Sequence, residues 1–201
     1  MLHVYVDLVL AGEQPDLELP GLPEHLRACG PCNDDFEGLL AAARDGRLGD
    51  AAPPPPIEIH TGPRDELRHL FEEAEDSPEQ LAAYIDDGVV LVASGEGGAI
   101  GHLQLVDGEI KNMAVVPSRR GEGIGRRLIE AAIDLARSDG RSVLAVATAA
   151  ADIGNLRFYQ RVGFRMRSVE RDAFTPATGY PPDLVSDGIP LRDRVWLELD
   201  L

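Results

Sequence analysis

The chain has 201 residues, of which 44% are hydrophobic and 27% are charged, as in an ordinary globular protein and unlike a disordered one. No apolar run approaches the roughly 20 residues of a membrane helix, no secretory signal is evident, and two cysteines are too few to cross-link a secreted protein, so we expect a cytoplasmic protein that does not bind membranes. The net charge of −16 disfavours nucleic acid as a partner.

A run of prolines, Pro53 to Pro56, divides the sequence into two parts. Consecutive prolines cannot continue a helix, and they act as an extended, semi-rigid spacer. We therefore predict a small helical segment over 1–48, a proline-rich linker over 49–56 and a main domain over 57–201. A segment as small as the first commonly depends on a metal, a disulfide or a partner, because it has little core of its own.

The N-terminal segment contains the pattern His-x3-Cys-x2-Cys, formed by His25, Cys29 and Cys32. Three ligands of these types at this spacing suit a tetrahedral Zn²⁺ ion. The segment resembles the zinc-binding anti-sigma factor family, whose helix–Cys-x2-Cys–helix core has the same spacing. The resemblance implies a zinc-finger-like role and a protein partner. That family has a further ligand upstream, and only His3 is available here.

Two other interpretations of this segment stay open. One is an inert helical hairpin. The other is a thiol switch, because Cys29-Gly30-Pro31-Cys32 matches the active-site tetrapeptide of thioredoxins. Thioredoxins place that tetrapeptide after a strand, whereas the residues before Cys29 are predicted to be helical.

The main domain is predicted to mix helices with a sheet that contains both antiparallel and parallel strands. Apolar spacing predicts the helices, Asp107-Gly108 predicts a tight hairpin, and Ser77 is the predicted N-cap of the second helix. The predicted strands are Ile57–His60, Val89–Ala93, Ile100–Val106, Glu109–Val116, Val143–Ala147, Phe164–Arg171 and Arg194–Asp200. The predicted helices are Pro63–Ala74, one that begins at Ser77, Arg126–Ser138 and Asn155–Arg161, and Thr175–Pro190 is predicted to be a long loop.

A glycine-rich loop, Arg119–Gly125, connects a strand to a helix. Glycines let the backbone approach a ligand closely, and free N–H groups at a helix start attract anions. The loop lacks the Gly-Lys-Ser/Thr triplet of a Walker motif. It also follows three antiparallel strands, which is unlike a Rossmann dinucleotide-binding unit. From the glycines alone, the loop is therefore either a different kind of phosphate site or an ordinary strand-to-helix connection.

The loop and its neighbours resemble the GCN5-related N-acetyltransferase (GNAT) family. Arg120-Gly121-Glu122-Gly123-Ile124-Gly125 fits that family's acetyl-CoA pattern, Gln/Arg-x-x-Gly-x-Gly/Ala. Lys111–Pro117 is similar to its fourth strand, and Asn155–Phe164 to its fourth helix and the following turn. The resemblance covers 57–201 and implies an α+β GNAT fold, with a mixed central sheet of about seven strands and helices on both faces. It also implies transfer of an acetyl group from acetyl-CoA to a primary amine, by direct attack in a ternary complex.

The resemblance assigns cofactor contacts to the fourth strand, the loop and the fourth helix. Arg120, with Arg119 beside it, either adds positive charge or is merely solvated, and Asn155 either contacts the cofactor or caps its helix. The implied cofactor-binding residues are Met113, Ala114, Val115, Arg120, Gly121, Glu122, Gly123, Ile124, Gly125, Arg126, Asn155 and Tyr159.

Acetyl transfer needs an oxyanion donor, a proton for the thiolate and a neutral amine. By resemblance, the Val115 N–H is the oxyanion donor and Tyr159 protonates the sulfur. The alternative for Tyr159 is a packed aromatic beside Phe158, and we expect Phe158 to face the core. Glu109 is either the candidate base or a plain hairpin residue. His102 on the third strand is a similar candidate, and transfer of the proton through water needs no strong base. No cysteine lies in 57–201, so an acyl-cysteine route is not expected.

The acidic composition suits a cationic acceptor, either a small molecule or a peptide amine, because opposite charge steers association. A homodimer stays open. The alternative function is that of a regulatory protein that senses acyl-CoA without turnover and binds a partner through its zinc-finger-like N-terminus.

Overall fold

The computed structural model describes residues 2–44 and 54–201. The chain forms two compact units, Met1–Pro54 and Pro55–Leu201, which are described separately. Most of the predicted linker over 49–56 lies outside the described residues. Across the two described ranges, no helix has the length and apolar character needed to cross a membrane.

The first unit is helical around a small core. Tyr5, Val6, Leu26 and Leu40 are its buried apolar side chains among the described residues. The Tyr5 ring meets Phe36 edge-on at a centroid distance of 5.5 Å, and its hydroxyl donates to Asp16 at 2.7 Å. The helices are α1 Leu2–Ala11, α2 Pro15–Glu18, α3 Leu22–Ala28 and α4 Gly30–Arg44.

The second unit contains a seven-stranded sheet. Its strands are β1 Ile57–Ile59, β2 Val89–Gly95, β3 Gly98–Val106, β4 Glu109–Val115, β5 Val143–Ala149, β6 Arg165–Glu170 and β9 Arg194–Asp200. They lie in the order β1-β2-β3-β4-β5-β9-β6. The β4–β5 pair is parallel and the other neighbours are antiparallel. The predicted mixed sheet of about seven strands is confirmed.

Helices cover both faces of this sheet, as predicted. The α-helices are α5 Arg68–Glu72, α6 Pro78–Tyr84, α7 Ile124–Ser138 and α8 Ile153–Val162, and the 3-10 turns are Arg64–Leu67, Pro117–Arg119 and Pro176–Thr178. One face, here called the apolar face, packs Leu103, Leu105 and Ile110 against α7 and α8. The opposite face, here called the mixed face, packs β2 and β3 against α5 and α6, through residues such as Phe71 and Leu81.

The mixed face owes its name to three buried polar residues. His102 and Gln104 on β3 are fully buried, and Asn112 on β4 is 4% exposed. Gln104 pairs with Asn112, whereas Leu105 pairs with Ile110, so Lys111 is an extra residue in a β-bulge. The bulge brings both Lys111 and Asn112 next to Tyr84 on α6.

Two local predictions are refined by the structure and a third is confirmed. The helix predicted over Pro63–Ala74 begins as a 3-10 turn before α5, and the loop predicted over Thr175–Pro190 contains a short hairpin of β7 Val185–Ser186 and β8 Ile189–Pro190. The N-cap prediction for α6 is confirmed, because the Ser77 Oγ accepts from the Gln80 N–H at 3.2 Å.

Candidate active site

The strands β4 and β5 separate beyond their first two residue pairs. Glu109 pairs with Ala145 and Ile110 pairs with Val146, and the pairing of β4 with β5 ends after these two residue pairs. The Val116 N–H donates to the Ile100 oxygen on β3 at 3.0 Å. Because successive N–H groups of a strand point to opposite sides, the Val115 N–H points away from β3 and into the gap between β4 and β5. The sheet thus offers a cleft lined by free strand backbone.

The start of α7 supplies free N–H groups close to this gap. Gly121 and Gly123 have φ angles of +86° and +78°, which only glycine adopts readily. The first helical hydrogen bond runs from the Arg127 N–H to the Gly123 oxygen at 3.2 Å. The N–H groups just before Arg127 therefore have no helical partner and, at the positive end of the dipole of a 15-residue helix, can bind an anion.

Gly125 lies where α7, β4 and α8 meet. A Cβ at this position would lie 3.1 Å from the Met113 Cε and 3.3 Å from the Phe158 Cζ. The glycine therefore allows the start of α7 to pack closely against the strand that lines the gap, which joins the anion-binding N–H groups to the cleft.

The arginines of this region are paired with acids. The Arg119 Nε donates to both Glu122 carboxylate oxygens, at 2.7 and 2.8 Å, and the guanidinium lowers the pKa of Glu122. The Arg120 Nη2 bonds Glu73 at 2.6 Å, while its Nε donates to the Val115 oxygen at 3.1 Å. Arg126 pairs with Glu130 at 2.9 Å in the same way. Because these charges are compensated, the backbone N–H groups are the main anion-binding feature.

Tyr159 lies in the buried cluster of the apolar face. Its ring meets Phe158 and Phe164 edge-on, at centroid distances of 5.2 and 5.7 Å. Burial raises the pKa of the phenol, which therefore stays protonated. The prediction that Phe158 takes the core position is wrong, because Tyr159 is 6% exposed whereas Phe158 is only partly buried. The hydroxyl forms no hydrogen bond in the described part of the chain and is not one of its fully enclosed polar atoms.

A model of a protein family described as acetyltransferase (GNAT) family matches residues 49–164. The chain belongs to this family. An uncharacterized N-acetyltransferase of Bacillus subtilis, YvbK, is 31% identical over 150 residues, which cover 72% of this chain and 96% of the relative. The family resemblance predicted from the sequence is confirmed.

Among the solved acetyltransferase structures that resemble this chain are some with CoA or acetyl-CoA bound. A Bacillus subtilis acetyltransferase in complex with CoA is 31% identical, with a TM-score of 0.65, and the match covers 72% of this chain and 97% of that one. A GNAT acetyltransferase of Elizabethkingia anophelis with acetyl-CoA bound is 28% identical, with a TM-score of 0.67, and the match covers 75% of this chain and all of that one.

This GNAT protein is an acetyl-CoA-dependent N-acetyltransferase that acts on amines, as predicted. The residues present fit the cofactor. The β4–β5 gap offers backbone groups to an amide-containing chain, and the free N–H groups before Arg127 suit its phosphates.

Asn155 is exposed in the first turn of α8. Its N–H and its Nδ2 both donate to the Asp152 carboxylate, at 2.8 and 2.7 Å. The alternative prediction that Asn155 caps the helix is wrong, because Asp152 is the N-cap. Asp152 and Asn155 are both of residue types that commonly cap helices. The spacing of apolar residues alone does not decide which of them begins α8.

The two candidate bases have different surroundings. Glu109 lies at the paired end of β4 and bonds the Lys111 ammonium at 3.2 Å. His102 is fully buried against Phe71, with ring centroids 4.3 Å apart, and burial lowers its pKa to about 3. Neither His102 nitrogen has a partner in the described residues, and both are enclosed. The prediction of His102 as a base is therefore wrong, because no substrate reaches the ring.

The sequence did not point to Tyr84 or Glu73. The Tyr84 hydroxyl donates to Glu75 at 3.2 Å and accepts from the Asn112 Nδ2 at 2.9 Å. Glu73 pairs with Arg120, which is 47 residues away in the chain. Contacts at such separations leave no local pattern, although the β-bulge that brings Asn112 to Tyr84 lies in the segment that matches the family's fourth strand.

In the first unit, His25, Cys29 and Cys32 come together. Their ligand atoms all lie within 4.8 Å of one another, and a tetrahedral zinc site needs separations of about 3.3–3.8 Å. Both cysteines are half-buried and form no disulfide. Small side-chain rotations would therefore bring the three groups onto one ion. The side chain of His3 lies outside the described residues.

Proposed function

We propose that the second unit transfers the acetyl group directly from acetyl-CoA to an amine held in the same complex. The observation that carries this proposal is the gap between β4 and β5, which ends beside the free N–H groups of α7. Bound acetyl-CoA supplies a thioester, whose thiol is a tolerable leaving group with a pKa of about 8.5. A covalent enzyme intermediate is therefore not required.

The cofactor contacts that we propose are mostly backbone groups. Met113, Ala114 and Val115 would pair with the amide-containing arm, while the N–H groups from Gly121 to Arg126 hold the pyrophosphate. Arg120 fixes the end of β4 through the Val115 oxygen and its pair with Glu73. In this proposal Asn155 contacts the cofactor with the polar atoms that Asp152 leaves available.

Val115 and Tyr159 would act on the reacting thioester. The Val115 N–H, which is directed into the gap, donates to its carbonyl oxygen as negative charge develops there. Tyr159 would donate from its hydroxyl to the departing sulfur. Because burial raises the phenol pKa further above that of a thiol, we infer a hydrogen bond to the thiolate in place of complete proton transfer.

The acceptor amine must lose a proton before it attacks. Glu109 is the base that we propose. Because Val115 lies six positions further along β4, Glu109 acts through water, and its pair with Lys111 must then loosen. The net charge of −16 favours a cationic acceptor through steering. A homodimer stays a prediction.

The test combines binding and turnover. Calorimetric titration with acetyl-CoA should detect binding, and an amine screen with thiol detection should detect CoA release. Tyr159→Phe should lower kcat by about 10²-fold, as expected when one hydrogen-bond donor to a developing negative charge is removed. Its affinity for acetyl-CoA should stay unchanged.

Tyr5→Phe, which removes a hydroxyl in the other unit, is the matched control and should alter neither quantity. Equal losses of kcat and cofactor affinity in Tyr159→Phe would contradict its role. Binding without CoA release for any amine would favour the acyl-CoA-sensing function instead.

For the first unit, we propose a zinc-finger-like domain, residues 1–48, in which His25, Cys29 and Cys32 hold zinc and a protein partner binds. The proximity of the three ligand atoms supports it. Elemental analysis of protein purified without chelator should find about one zinc per chain. The Cys29→Ser/Cys32→Ser variant should lose the zinc, and His60→Ala in the other unit should retain it. Zinc well below one per chain would contradict the proposal.

A further inference from the structure

Lys111 is the only lysine among the 19 basic residues of the chain, and it lies in the bulge of β4. Its ammonium lies 5.5 Å from the centroid of the Tyr84 ring and 3.2 Å from the Glu109 carboxylate. An aromatic face attracts a cation through its electron density, and a carboxylate attracts it by charge. Together the ring and the carboxylate form a receptor for an alkylammonium group.

The aromatic part of this receptor is fixed. The Tyr84 hydroxyl is held between Glu75 and the Asn112 amide, and the residue is 8% exposed. Burial raises the pKa of the phenol, so the ring stays neutral. The ring therefore presents the same face whether or not a cation lies against it.

Lys111 itself is held weakly. Its side chain is 36% exposed and that of Glu109 is 28% exposed, and ion pairs in contact with water contribute little to stability. The four-carbon stem of a lysine also lets its ammonium swing away without a backbone change. A second ammonium of similar size can therefore replace that of Lys111.

We propose that the Tyr84 ring and Glu109 form the subsite for the acceptor ammonium, and that Lys111 occupies this subsite until an acceptor displaces it. The inference rests on the proposed function, because Lys111 lies two residues before Met113 on the strand assigned to the cofactor. The acceptor would then arrive beside the proposed base. Lys111 thus competes with the acceptor for this subsite. Only an acceptor that carries an ammonium group on an accessible alkyl chain can displace it.

A single lysine makes this inference testable by NMR without turnover. Full-length protein labelled with [¹³Cε]lysine gives one side-chain signal, and ring current from Tyr84 should move it upfield of free lysine. Titration with n-butylamine should return the signal saturably toward the free value. Neutral 1-butanol and NaCl at equal ionic strength are the matched controls and should leave it in place.

Variants of Tyr84 test the origin of the shift. Tyr84→Leu should abolish the upfield shift, whereas Tyr84→Phe keeps the ring and should retain it. The second variant keeps the inference falsifiable where the first does not fold. Absence of an upfield shift in the unmodified protein, or an equal response to butylamine and NaCl, would overturn the proposal.

Kinetics provide an independent measurement. In Lys111→Met, the KM for the amine should fall about two- to fivefold, the size of one cation–π contact. The KM for acetyl-CoA should not change. Arg137→Met, which removes an exposed charge from α7, should alter neither value. A higher amine KM in Lys111→Met would overturn the competitor role. If no amine releases CoA, the proposed function fails, while the NMR displacement still decides the subsite.

Discussion

The two faces of the central sheet share the strands β3 and β4 but bury different chemistry. On the apolar face, Leu103 is packed against α7 and α8. On the mixed face, the neighbouring positions His102 and Gln104 are equally buried, and both carry polar atoms without partners among the described residues. Hydrophobic burial stabilises a fold, whereas an unpaired buried polar atom costs stability. On the mixed face, Gln104 leaves one polar atom unpaired while its amide nitrogen holds the end of α6, and hence Tyr84, in place.

The largest effect should come from the apolar face. Leu128 on α7 is fully buried, so Leu128→Ala should lower the free energy of unfolding by about 2–5 kcal/mol through lost burial and a cavity. Urea denaturation measures the change. Leu17→Ala, at a residue that is 75% exposed, is the control and should change it little. A loss below about 1 kcal/mol at Leu128 would mean that this face is not the main source of stability.

The second effect is a pH dependence that comes from the mixed face. Burial lowers the pKa of His102 from 6.5 to about 3, His69 and Arg64 lower it further, and Asn112 acts in the opposite direction. Between these two pKa values the unfolded chain binds a proton at His102 that the folded chain does not. Stability is therefore complete above pH 6.5 and falls as the pH drops toward 3, by up to about 1.4 kcal/mol per pH unit.

The His102→Leu variant isolates this dependence. Below pH 6.5, the free energy of unfolding of this variant should fall less steeply than that of the unmodified protein. At pH 7.5 the variant should be as stable or more stable, because two unpaired nitrogens are removed. His60→Gln, at a residue outside the core, should leave the pH profile unchanged. If His102→Leu and the unmodified protein lose stability equally as the pH falls, His102 does not titrate in this way.

The sequence predicted the apolar face better than the mixed one. Apolar residues such as Leu128 and Ile129 recur at helical spacing, so the buried side of α7 could be read from the pattern. The loop before α7 was predictable because its positive φ angles require glycine, and Gly121 and Gly123 are visible in the sequence. These features depend on neighbours in the chain.

The mixed face depends on partners that are distant in the chain. Gln104 bonds carbonyls about 20 residues away, and Asn112 bonds Phe71 and Tyr84 across longer separations. The spacing of residues around Gln104 or Asn112 in the sequence does not reveal such distant partners. The orientation of the pair Phe158 and Tyr159 was also wrong, because two adjacent aromatics fit either side of a helix and packing on Phe164 decides between them.

Gln104→Leu should have the third largest effect. The Gln104 Nε2 donates to the carbonyl oxygens of Tyr84, Ile85 and Asp87, at 2.7, 3.3 and 2.8 Å, and so fixes the end of α6. Removing this donor should cost about 1–3 kcal/mol, offset in part because the Tyr84 oxygen still accepts from the Asp87 N–H at 3.0 Å and because the unpaired Oε1 is also removed. Gln160→Leu, on the exposed side of α8, is the control for urea denaturation. An unchanged stability in Gln104→Leu would break the claim that the mixed face holds α6.

The smallest effect concerns the other end of the same helix. The Ser77 Oγ caps α6 by accepting from the Gln80 N–H, and Ser77 is fully buried. Ser77→Ala should lower the free energy of unfolding by about 1 kcal/mol and speed hydrogen exchange at the Gln80 amide. Ser138→Ala, at an exposed position near the end of α7, should leave that exchange unchanged. If Gln80 exchange stays slow in Ser77→Ala, the Ser77 cap does not fix the start of α6. Because Tyr84 ends this helix, a shift of the Lys111 NMR signal in Ser77→Ala would also link the cap to the ring that the lysine contacts.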